Sequence, residues 1–102
     1  MEEVMALKAS VADIAKRLGL PLVPTDWSGC DPVWPILEQM GNEGAVVVVK
    51  IDGQRTSEDD NGKYTVVLSG GTLKDDFFHT DTATLEEGIA KAILFYAERC
   101  WK

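Results

Sequence analysis

With 102 residues, 45% of them hydrophobic and 26% charged, the chain has the size and balance of one folded domain, which excludes a disordered or membrane-embedded polypeptide. Seventeen acidic residues against ten basic ones give a formal charge of −7, a field that repels nucleic-acid backbones and anionic bilayers and favours a basic protein partner. The start Met1-Glu2-Glu3 has no basic segment leading into an apolar stretch, and no apolar run is long enough to span a bilayer, so a cytoplasmic location is expected. Cys30 and Cys100 stand far apart and outside any Cys-x-x-Cys pattern, as reduced thiols do.

Residues 2–18 carry Val4, Leu7, Val11, Ile14 and Leu18 at three- and four-residue steps, the signature of an amphipathic helix. Glu2 and Glu3 suit its N-terminal end, Lys16 and Arg17 its C-terminal end, and Gly19 and Pro21 stop it. Residues 21–35 hold four prolines, Gly29 and two tryptophans, too apolar for a linker, and are expected to pack on the body. Asp31-Pro32 opens a short helix bearing Val33, Trp34, Ile36, Leu37 and Met40, with Pro35 limiting it to about two turns and Gly41 ending it.

Residues 45–51 are β-branched and apolar on alternate positions of both kinds, which predicts a core strand with cover on both faces of its sheet. Residues 53–62 are polar and end in Asn61-Gly62, a hairpin signal. Residues 63–69 form a second strand, Gly70-Gly71 the next turn, and Phe77, Phe78 and His79 belong to a third strand at a sheet edge. Thr84 with Glu87 three positions later is a capping-box pattern opening a last helix. Its core face is Leu85, Ile89, Ala92, Ile93, Tyr96 and Cys100, and a second apolar stripe runs through Ala90, Leu94, Ala97 and Trp101. The fold class expected is α+β, one domain over residues 1–102: a three-stranded antiparallel meander flanked by N- and C-terminal helices, an α-(α)-β-β-β-α sandwich.

Two blocks, Asp31-Pro32-Val33-Trp34-Pro35-Ile36-Leu37 and the segment from Phe78 to Ala92, stand on either side of the strands. In order and spacing they resemble the small phage-encoded α/β/α (ABA) sandwich domains, a family with no assigned reaction. The resemblance implies a sandwich fold and a mobile-element setting such as a phage or an integron gene cassette. It carries no catalytic residues onto this chain.

The candidate chemistry is sparse. Cys30, the single histidine His79 and an aspartate are the residue types of a thiol-nucleophile site, but no glycine-rich oxyanion site accompanies Cys30. Glu58-Asp59-Asp60 lacks the alternating ligands and central glycine of a cation loop and reads as a solvated hairpin tip. Neither a metal nor a cofactor is expected, and no enzyme. Trp34 is assigned to the core and Trp101 to an interface, with Trp27 open between the two.

The leading expectation is therefore an accessory protein that binds another protein or associates with itself, for instance as a homodimer. Ala90, Leu94, Phe95, Ala97 and Trp101 supply the candidate interface, and Trp27, Cys30, Asp31, Glu58, Asp59 and Asp60 the candidate binding residues. One alternative is an immunity or anti-defence protein whose acidic loop neutralises a basic effector. Another is a small ligand-binding protein or enzyme that uses the Trp27 to Trp34 loop with Cys30 and His79.

Overall fold

A computed structural model of the chain describes residues 2–54 and 62–101. Helix α1 (Glu2–Arg17) leads through a loop and a single 3-10 turn (Asp31–Val33) into α2 (Trp34–Asn42). Strands β1 (Val46–Ile51), β2 (Tyr64–Ser69) and β3 (Phe77–Thr82) follow, and α3 (Leu85–Cys100) closes the fold. The strands form one antiparallel sheet in the order β1-β2-β3, so the expected α+β meander with helices at both ends is the observed architecture. No helix among the described residues is long and apolar enough to cross a membrane.

Local chemistry explains the helix ends. Thr84 accepts a hydrogen bond from the Glu87 backbone N–H, as the capping-box spacing requires, and Glu86 and Glu87 sit in the first turn of α3. Pro35 falls within the first turn of α2, where its missing donor costs no hydrogen bond, so it starts this helix instead of limiting it.

Strand alternation and register sort the sheet residues onto two faces. Val47, Val49, Tyr64, Val66, Leu68, Phe78 and Thr82 share one face. The Phe78 ring lies 4.9 Å from Phe95 of α3, and Gly88 of α3 presses on Val66 and Thr82. The helices therefore cover this face, and the 19 Å shortest dimension of the molecule fits one sheet and one layer of helices.

The opposite face carries three cross-strand rows: Val46, Ser69 and Phe77; Val48, Val67 and His79; Lys50, Thr65 and Asp81. Among the described residues no helix covers it. Val46 is 53% exposed, Val48 48% and Phe77 67%. The expectation of a core strand covered on both faces is thus corrected: in a meander of this order β1 is an edge strand, and its apolar residues outrun the helices of its own chain.

Helix α1 packs along α3 and buries Val11, Ile14 and Ala15 there. It takes up the second apolar stripe of α3, since Ala90 and Ala97 are buried within the chain. These two residues are removed from the expected interface for that reason.

Close packing of α3 on the sheet depends on Gly88. A Cβ there would stand 2.8 Å from Thr82 Oγ1 and 3.1 Å from Val66 Cγ2. Thr82 Oγ1 cannot easily yield, because it donates a hydrogen bond to the Thr84 carbonyl at 2.8 Å. Gly88→Ala gains about 1 kcal/mol of helix propensity but overpacks this contact by more, so a net loss of about 1 kcal/mol is expected in urea unfolding.

Candidate functional site

The sequence offered two tryptophans beside the α1–α2 loop, and the structure gives them opposite roles. Trp27 is buried, with its indole Nε1 donating to the Lys8 carbonyl at 3.2 Å and the Lys8 ammonium 5.7 Å from the ring centre. It pins the loop to α1 and has no surface for a ligand, so it leaves the set of expected binding residues. Trp34, expected in the core, is 55% exposed. The buried side of the turn and α2 is Val33, Ile36, Leu37 and Met40, a three- and four-residue stripe that Trp34 does not join.

Trp34 instead borders an open groove of about 560 Å³ between α2 and β1, whose lining includes Cys30, Leu37, Gly41, Val47 and Val49. Cys30 is half-buried at its rim. Burial raises the thiol pKa, and the negative charges of Asp31 and Glu86 raise it further, which keeps the sulfur protonated and a poor nucleophile. Glu86 is held nearby by the Gly29 backbone N–H, which donates to Oε2 at 2.8 Å. That bond, against the opposing effect of burial, lowers the Glu86 pKa, and the Lys8 charge adds to the shift. Asp31 is exposed.

His79 lies elsewhere. It stands on the uncovered sheet face, with Nε2 3.7 Å from Asp81 Oδ2, and Asp81 also accepts from the Thr65 hydroxyl. Val47 and Val49 line the groove from the helix-covered face, so the sheet itself separates Cys30 from His79. The expected grouping of Trp27, Cys30 and His79 does not form. Glu58, Asp59 and Asp60 lie outside the described residues.

Of the remaining interface candidates, Leu94, Phe95 and Trp101 are half-buried. Leu94 borders a second groove of about 510 Å³ between α1 and α3. Phe95 is sandwiched between Phe78 and the Arg99 guanidinium, whose carbon is 3.9 Å from the ring centre. Trp101 is committed to an internal network: its Nε1 donates to Glu43 Oε2 at 2.9 Å, and its ring meets Tyr96 edge-on at 4.8 Å.

Glu43 is the centre of that network and had no distinguishing mark in the sequence, standing in a polar turn before β1. Its carboxylate also accepts from Tyr96 Oη at 2.6 Å and from Gln39 Nε2 at 2.9 Å, while the Tyr96 oxygen meets Thr72 Oγ1 at 2.6 Å. Burial alone would raise the Glu43 pKa, but the bonds from Tyr96, Gln39 and Trp101 together outweigh it and the net shift is downward. The Tyr96 hydroxyl is shifted the other way, by burial first and then by its bond to Glu43. This arrangement ties the ends of α2 and α3 and the turn after β2, and it lines neither of the two grooves.

The exposed apolar side chains around the sheet are Val46, Val48 and Phe77 on its uncovered face, Val49 and Ile51 on the outer strand β1, and Trp34 beside its groove. Comparison of the chain with protein families, curated proteins and solved structures found no match.

Proposed function

We propose that this protein is a non-enzymatic module that acts by binding protein through its apolar sheet surface. The observation that carries the reading is the exposure of Val46 and Val48 on β1 and of Phe77 on β3, all about half exposed or more on a face that the helices do not cover. Contiguous apolar patches on a folded surface mark interaction sites, because leaving them in water costs about 25 cal/mol for each Å². The separation of Cys30 from His79 by the sheet supports binding over thiol catalysis. The phage or gene-cassette setting belongs to the same proposal and rests on the sequence resemblance.

Val46→Lys combined with Phe77→Lys tests the reading, since both side chains already face solvent and the fold should hold to within about 1 kcal/mol. Tagged wild-type protein is expected to retain a protein on co-purification that the double variant, folded by circular dichroism, does not. Identical retained sets for the two proteins would overturn the proposal.

A further inference from the structure

The occupant of the β1 edge can be narrowed by its hydrogen-bonding pattern. The Asp52 N–H donates to the Lys63 carbonyl at 2.7 Å, which makes that pair a hydrogen-bonded one and points the backbone groups of Lys50, Val48 and Val46 toward β2. Those of Val47, Val49 and Ile51 consequently point outward. The same parity directs the Ala45 N–H outward, where it donates to the Met40 carbonyl of α2. Among the described residues, nothing pairs with the outward groups of Val47, Val49 and Ile51, and β1 has β2 as its sole strand partner.

Native edge strands are normally blunted by proline, a bulge or several charges. In β1 the register with β2 is unbroken, and Lys50 is the one charged residue. The strand is apolar on both faces, with Val49 40% and Ile51 62% exposed, although its sheet is covered on one face. An added strand that matched it would need to be extended, uncharged and apolar on both faces. β1 itself meets that description.

We infer that β1 pairs antiparallel with β1 of a second copy about a two-fold axis at Val49, joining two meanders into one six-stranded sheet. This rests on the binding reading above and names one of its partners. An axis normal to the sheet keeps the helices of both copies on one side. Centred on Val49, the pairing sets Val49 against Val49 and Val47 against Ile51 of the other copy, so all three outward residues of each strand exchange hydrogen bonds. A centre at Val48 would instead oppose Ile51 to Ala45, whose N–H is already taken.

Val49 and Ile51, both exposed in the single chain, are covered across the seam by their counterparts in the other copy. Ile51 of one copy comes to lie beside Val47 of the other, at the groove bordered by Trp34. Lys50 is the one charged residue of β1, so few like charges meet across the seam.

Sedimentation velocity over a concentration series, together with cysteine cross-linking, tests the pairing. Wild-type protein is expected to dimerise, and Val49→Pro, which removes an N–H not used within the chain, to weaken the dimer about tenfold or more. In a Cys30→Ser, Cys100→Ser background, Val49→Cys should form a disulfide dimer under mild oxidation, because Cα atoms about 5.5 Å apart across a hydrogen-bonded pair lie within disulfide reach. Phe77→Cys, on the far edge of the same sheet, should cross-link much more slowly.

A wild-type protein that stays monomeric at high concentration overturns the inference. So does a dimer that cross-links equally through Phe77→Cys. Neither result touches the broader reading, which falls only if Val46→Lys with Phe77→Lys leaves the retained proteins unchanged.

Discussion

Trp27→Ala is expected to lower the unfolding free energy by about 3–5 kcal/mol, a large part of the roughly 5–15 kcal/mol available to a domain of this kind. The indole is 2% exposed, so its removal leaves a large cavity, and it also forfeits the bond that holds the loop to the Lys8 carbonyl of α1. Trp34→Ala, at the exposed start of α2, should cost about 1 kcal/mol or less when measured on dilute protein. Urea denaturation followed by far-ultraviolet circular dichroism separates the two outcomes. Equal losses for both variants would contradict the opposite burial of the two rings.

The contrast between these tryptophans shows where the sequence was legible. Spacing identifies the buried stripe of α2, because Val33, Ile36, Leu37 and Met40 follow the helical period and Trp34 falls outside it. The size of the Trp34 ring favours burial, but its position on the helix decides against it. Trp27 sits in an irregular loop with no period, so only the three-dimensional closure of that loop on α1 could reveal its burial.

The valine strand raises a different issue. A β-branched run identified β1, alternation β2 and the turn signals between the strands their meander order, and the capping box identified the start of α3. An apolar run on both faces states how much cover a strand needs, but not which chain supplies it. The first strand of a simple meander is always an edge, so four consecutive valines there point to cover from outside the chain as readily as to a second helical layer. The surplus of α3 had the reverse outcome. Its second stripe suggested a partner, and the amphipathic face of α1 absorbs it within the same chain.

Replacing Glu43 is the change with the second largest expected effect, and no local sequence signal announces it. Three donors from α2, α3 and the C-terminal end converge on this one carboxylate, and hydrogen bonds to charged groups contribute about 1.5–3 kcal/mol. Glu43→Ala is therefore expected to cost about 2–3 kcal/mol, with Thr72 and water taking up part of what Tyr96 and Trp101 lose. The pH dependence supplies an independent check. Because the folded-state pKa of Glu43 lies below its unfolded value, its contribution is present in full above the ordinary carboxylate range. It is lost as pH falls through the lower, folded value, when protonation removes the charged acceptor.

Glu43→Gln should thus flatten the decline of stability on acidification without abolishing it, since Glu86 is shifted in the same direction by the Gly29 N–H and continues to titrate. Tyr96→Phe in the Glu43→Ala background should cost less than in the wild type, because the two groups share one bond. Strictly additive losses, or an unaltered acid limb in Glu43→Gln, would mean that the carboxylate does not couple these elements. If it does, the same network fixes the end of α2 just ahead of Gly44, Ala45 and β1. The position of the exposed strand edge then depends on a hydrogen-bond centre in the turn that leads into it.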